Sequence, residues 1–206
     1  KAGCKLIKNF VYMGENNTPD GMLDYEELIA NSSAIPAYES SPEDMIGIFY
    51  TGGTTGFPKG VMLSHKNIWV SSVAIMAEMK FYGRDCDSMM MVAGPMFHLA
   101  AGAIGWSSVI AGNTMTILPA FNVQDVLTCI EQDKVTDCLL VPTMISMLLA
   151  DEALKEADLS SLKQIIYGAS PMPEGTLLEA MEKIPRVGFI QAYGQTELSP
   201  ACSLLP

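Results

Sequence analysis

The residues most able to do chemistry lie in one short run, Tyr50-Thr51-Gly52-Gly53-Thr54-Thr55-Gly56-Phe57-Pro58-Lys59-Gly60-Val61. Its four glycines let backbone N–H groups come close to an anion. Thr51, Thr54 and Thr55 add hydroxyl donors, and Lys59 adds a compact positive charge. A polyphosphate needs this set of donors. The run is not the Gly-Lys-Ser/Thr phosphate loop that opens a helix, because Pro58 precedes Lys59 and Gly60 follows it. On composition alone, a phosphate cradle and a plain surface turn both remain open.

Two later segments carry further reactive side chains. Pro95-Met96-Phe97-His98 ends on an imidazole, followed by the small apolar run Leu99-Ala100-Ala101-Gly102-Ala103. A lone histidine there reads more often as a packed core residue than as a polar group in a pocket. Gln191-Ala192-Tyr193-Gly194-Gln195-Thr196-Glu197 sets an aromatic face, a hydroxyl and a carboxylate within five residues. Taken singly, Glu197 reads as a solvated loop charge.

These segments must be positioned by something, and the spacing predicts it. Met45 to Tyr50, Ser88 to Ala93, Met115 to Leu118, Thr136 to Val141, Leu162 to Tyr167 and Val187 to Ala192 read as short buried strands. Between them lie helical stretches. Ser64 caps one with Ile68, Ser72, Ile75 and Met79 on one face, and another runs from Phe97 to Ala111. Asn122 caps a third with Val123, Val126, Leu127 and Ile130 inward, Met144 to Ala150 forms a fourth, and Pro173 opens a fifth with Leu177, Met181 and Ile184 inward. The alternation predicts an α/β fold, a mainly parallel sheet flanked by helices on both faces, with ligands beyond the carboxyl ends of the strands. Before this core, residues 1–44 read as a strand over Lys5 to Met13, a helix from Asp24 to Ala30 capped by Asp24, and a Ser/Pro-rich linker; the core proper runs over 45–206.

Composition narrows the classes. The chain has 206 residues and a net charge of -11, a field that repels nucleic-acid backbones and admits an anionic nucleotide only where local donors offset it. Five cysteines (Cys4, Cys86, Cys129, Cys138 and Cys202) with no Cys-x-x-Cys pair suit reduced thiols in a cytoplasmic protein. Pro95, His98 and Asn113 interrupt the most apolar stretch, so no membrane span is expected, and peripheral membrane contact is left open. The absence of an opening Met and the ending Leu204-Leu205-Pro206 read as a fragment of a longer protein.

The run from Tyr50 closely resembles the phosphate-binding signature of the adenylate-forming (AMP-binding) superfamily of acyl- and aryl-CoA synthetases, luciferases and peptide-synthetase adenylation domains. Gly52 stands where that signature usually has Ser. Pro95 to His98, the turn Gly168-Ala169-Ser170-Pro171 and Gln191 to Glu197 resemble further signatures in family order. The resemblance implies that Thr51, Gly52, Gly53, Thr54, Thr55, Gly56 and Lys59 hold the phosphates of ATP. It implies that Gly168, Ala169, Ser170, Pro171, Gln191, Ala192, Tyr193 and Gly194 border the adenine, that Thr196 meets the α-phosphate, and that Glu197 binds Mg2+. His98 is implied beside the substrate carboxylate, with Leu99, Gly102, Tyr167 and Gly168 around the acyl group. His98, Thr196, Glu197 and Lys59 are then the catalytic set.

The activity implied is ATP-dependent activation of a small-molecule carboxylic acid to its acyl-adenylate, then transfer to coenzyme A, as in an acyl-CoA synthetase. The small residues after His98 suit a medium- or long-chain acid or an aromatic acid, and a medium- or long-chain fatty acid is expected. The ribose-binding Asp, the hinge and the small C-terminal domain with its lysine are expected beyond Pro206, so these residues alone are expected to show little adenylation. A peptide-synthetase adenylation domain, an aryl-CoA ligase, a luciferase-like enzyme and a non-catalytic nucleotide-binding module are the competing readings. The first normally carries a pocket Asp for the amine, and none stands among Leu99 to Gly105.

Overall fold

A computed structural model describes residues 6–52, 56–79 and 88–206. The chain divides into two compact units, Lys1–Ser40 and Ser41–Pro206.

In the first unit, strand β1 (Val11–Tyr12) pairs in parallel with β2 (Leu23–Asp24), which leads into helix α1 (Tyr25–Ala30). The Asp24 carboxylate caps α1 by accepting the Glu27 N–H at 2.9 Å. The long strand expected over 5–13 shrinks to two residues because only those find a ladder partner.

Residues 41–44, expected to close the linker, are hydrogen-bonded into the second unit. The carbonyls of Pro42 and Asp44 accept from the N–H groups of Lys66 and His65 at 2.8 and 3.0 Å. They thereby satisfy donors that the first turn of a helix leaves open.

The second unit opens with a hairpin, β3 (Met45–Thr51) against β4 (Lys59–Ser64), antiparallel. The second strand was not expected, since its Gly and Lys disguise it. Val61 and Leu63, two apart, pack with Ile46 and Phe49 against Ile68, Leu99 and Trp106. Ser64 ends the hairpin and forms a reciprocal capping box with Asn67 at the start of α2 (His65–Glu78).

There follow β5 (Met89–Val92), α3 (Leu99–Ala111), β6 (Thr114–Ile117), α4 (Val123–Gln132), β7 (Asp137–Leu139) and α5 (Pro142–Ala150). The chain continues through β8 (Gln164–Gly168), α6 (Glu174–Lys183), β9 (Gly188–Gly194) and β10 (Ala201–Leu205). These strands form one six-stranded sheet in the order β10-β9-β8-β7-β5-β6. Every pair is parallel except β9 with β10.

Strand parity sorts the core into two layers. Met91, Cys138, Ile165 and Tyr167 face one side, against Val126 and Ile130 of α4, Ile145 and Leu148 of α5, and Ala180 of α6. Met90, Val92, Ile166 and Ile190 face the other, against Ile75 and Met76 of α2 and Ala101, Ala103 and Ile104 of α3. Burial of Cys138 pushes its thiol pKa up, as suits an inert core residue. The inward stripe of α6 is Leu177, Ala180 and Ile184; Met181, expected inward, is 53% exposed because it falls off that stripe. No helix among the described residues is long and apolar enough to cross a membrane.

Candidate active site

Because β5, β8 and β9 run parallel, the segments that follow them emerge at one edge of the sheet. There, Thr51, Gly52 and Lys59 of the hairpin join His98, Gly168, Ala169, Ala192, Tyr193, Gly194, Thr196 and Glu197 around one cavity of about 540 Å³. Segments more than 130 residues apart in sequence thus converge on one space. Among the described residues, Lys59 is the only lysine or arginine that lines it.

His98 sits at the helix boundary. Its side chain caps α3, with Nδ1 accepting the Ala100 N–H at 3.3 Å. An accepting Nδ1 carries no proton, so the neutral ring holds its hydrogen on Nε2, leaving that nitrogen as a donor.

The segment after β9 is held by its own main chain. Gln195 N–H donates to the Pro200 carbonyl at 2.9 Å, Leu198 N–H to Gln195 at 2.9 Å and Ser199 N–H to Thr196 at 3.1 Å. Thr196–Leu198 form a 3-10 turn, and Ser199 takes a left-handed φ of 69°. Gly194 is obligatory where this turn doubles back, since a Cβ there would lie 1.9 Å from the Pro200 carbonyl oxygen. Tyr193 is 64% exposed and offers an open ring face on the rim. The turn after β8 carries Ala169 at φ 66°, a left-handed conformation costly for a residue with a Cβ and concentrated at functional turns.

Several expected residues lie elsewhere. Tyr167 is buried in the opposite core layer, because its neighbour Ile166 has the parity that faces the cavity. Gly102 packs under Trp106 and the Met96 carbonyl, and a Cβ there would lie 3.0 Å from that oxygen, so it is not a pocket wall. Gln191 precedes cavity-lining Ala192 on β9, and Gln191, Ser170, Pro171 and Gly56 do not line the cavity. Gly53, Thr54 and Thr55 fall outside the described residues, as do Cys4 and Cys86.

The apolar interior contains residues the sequence reading assigned only to packing. Ile75 and Met79 come from the α2 face read as core, and Leu139 and Ile166 from strand bodies. Leu204 belongs to a strand for which no signal was found. At Gly52, a Cβ would meet no described residue within 4 Å, so the missing Ser clashes with none of them.

The profile of the family described as "AMP-binding enzyme" matches residues 7–206. The chain belongs to this AMP-binding enzyme family. Among curated members, it is 33% identical to a feruloyl-CoA synthase of Amycolatopsis sp over 180 residues, covering 87% of this chain and 36% of that protein. It is 30% identical to 4-coumarate–CoA ligase 2 of Oryza sativa subsp. japonica, over 92% of this chain and 34% of the ligase. The chain therefore spans about a third of the length of these relatives.

Among solved structures it is similar to the inhibitor-bound N-terminal domain of FACL13 from Mycobacterium tuberculosis, with TM-score 0.80 and 26% identity, over 89% of this chain and 46% of that one. It is also similar to O-succinylbenzoate coenzyme A synthetase (MenE) from Bacillus subtilis in complex with ATP and magnesium ion, with TM-score 0.75 and 29% identity, over 89% of this chain and 38% of that one. The α/β fold with a central sheet between helices is thus that of the N-terminal domain of adenylate-forming enzymes.

Proposed function

We propose that the protein activates an apolar carboxylic acid as its acyl-adenylate and transfers the acyl group to coenzyme A. The observation carrying this reading is the convergence of Lys59, His98, Thr196 and Glu197 on one cavity whose interior is apolar.

The chain's own groups suit each task. Lys59 and the backbone around Gly52 hold the β- and γ-phosphates, Thr196 donates to the α-phosphate, and Tyr193 stacks on the adenine. Nε2–H of His98 donates to an oxygen of the incoming carboxylate and turns the other oxygen toward phosphorus. That oxygen attacks, the bond to the bridging oxygen breaks, and pyrophosphate leaves with the electron pair. A carboxylate is already ionised at neutral pH, so no base is required and catalysis rests on positioning and charge. The thiolate of coenzyme A then attacks the acyl carbon, and AMP leaves.

No cluster of three or more His, Cys, Asp or Glu side chains forms a metal cage among the described residues. The exposed Glu197 carboxylate at the rim fits a Mg2+ that arrives with the nucleotide and takes one protein ligand, supplying charge neutralisation at the phosphates.

The relatives' names favour an aryl or arylpropenoic acid over the expected fatty acid. The interior walls of Leu99, Ala103 and Ile104 suit a ring or a short aliphatic chain. None of the described lining residues is an Asp that could hold an α-amino group, which weighs against an amino-acid adenylation domain. The test is acid-dependent AMP release by the full-length protein that carries these residues, with ATP and coenzyme A, across arylpropenoic, benzoic and unbranched aliphatic acids. Thioester formation from one class is expected. Loss of MgATP binding, or AMP release indifferent to the acid, would overturn the reading.

A further inference from the structure

We propose that Met79, backed by Ile75, is a specificity-determining residue that closes the apolar end of the cavity and sets the size of acid accepted. This rests on the acid-activating reading above.

The cavity has a polar rim and an apolar depth. On β8, Gly168 lines the rim, and Ile166, two residues back on the same face, lies about 7 Å deeper into the sheet. Leu139 pairs in register with Ile166, so this stretch of sheet forms one wall. The helices α2 and α3 supply the facing wall. From α3 come Leu99, Ala100, Ala103 and Ile104, and α2 with its C-cap presents Ile75 and Met79 four residues apart. The Met79 N–H bonds the Ile75 carbonyl at 2.9 Å, which sets the two side chains one above the other.

Met79 is fully screened from solvent yet borders the cavity, so its volume subtracts directly from the space for ligand. It packs in a layer with Met76 and Met90, and Met115 packs against that layer. Unbranched thioether side chains repack around different shapes more readily than branched ones. This wall is therefore adjustable, and Met79 is the one methionine among the described residues that line the cavity.

The test measures kcat/KM of the full-length protein that carries these residues, over an unbranched acid series of increasing length and an arylpropenoic series of increasing ring bulk. The variants are Met79→Ala, Ile75→Ala and Met79→Phe, with MgATP affinity followed by calorimetry. Both alanine variants should move the optimum to larger acids, changing the ratio of large to small substrate by roughly tenfold or more. Met79→Phe should move it the other way, with MgATP affinity held within about twofold in all three. Should Met79→Ala fail to fold, the opposite shifts in the other two variants carry the same information. An unchanged size profile in variants that still bind MgATP overturns the proposal and leaves the activity standing. Absence of acid-dependent AMP release from the unsubstituted protein overturns both.

Discussion

At the scale of single residues, His98 performs two separable jobs, and substitutions can divide them. Its Nδ1 caps α3 and its other nitrogen is free to donate. His98→Ala should cost about 1 kcal/mol of stability through the lost cap. Asn can accept the same N–H, so His98→Asn should restore most of that stability. It should still lower acid-dependent kcat/KM by roughly tenfold to a hundredfold, the value of a hydrogen bond to a charged partner. Thermal melts and steady-state rates check the two halves independently. Glu197→Gln should weaken MgATP binding by about tenfold or more while leaving ATP binding without metal nearly unchanged, measured by calorimetry in the presence and absence of Mg2+. Gly52→Ser, whose Cβ meets no described residue, should stay within about 0.5 kcal/mol of the parent. Gly194→Ala, whose Cβ collides with backbone, should lose about 2 kcal/mol or more, compared by denaturant midpoint. Lys59, His98 and Glu197, which line one cavity, stand out in the sequence because their types and order carry the signal. Tyr167 and Gly102 were not, because whether a residue faces the pocket turns on strand parity and helix rotation.

At the scale of elements, the helices were the easier half. Asp24, Ser64 and Asn122 mark their starts with side-chain caps that depend on a few neighbouring residues. The strands missed in the second unit, β4 and β10, each pair antiparallel with a neighbour, and both owe their existence to a ladder partner more than to local pattern. Element junctions also respond to pH. Hydrogen bonds from the Ser160 hydroxyl and N–H, then the Lys134 ammonium, hold the Asp158 carboxyl down at about 2. With the folded value below the unfolded one, this contribution is present above about pH 4 and lost as pH falls toward 2. Asp158→Asn should therefore lower the melting temperature at pH 6 and converge with the parent near pH 2, as a pH series of melts would show.

At the scale of the whole molecule, alternation of strand and helix was sufficient to foresee a parallel sheet with helical layers on both faces. The order β10-β9-β8-β7-β5-β6 was beyond reach, since nothing local says that β7 inserts between β5 and β8. The division at Ser40 has a physical consequence. Residues 32–40 carry no helix or strand and are exposed throughout. Limited proteolysis should cut there first, leaving a resistant product that begins near Ser41. A first cut inside 88–206, read by mass spectrometry, would contradict the compactness of the second unit.

The short turn that carries Thr196 and Glu197 is tied to itself through Gln195, Pro200, Leu198 and Ser199 before any nucleotide arrives. A guest meeting such a seat gives up little of the host's freedom on docking. Its capture should be limited by diffusion and desolvation and not by loop rearrangement, and in a stopped-flow trace the observed rate should climb linearly with nucleotide concentration, without a plateau.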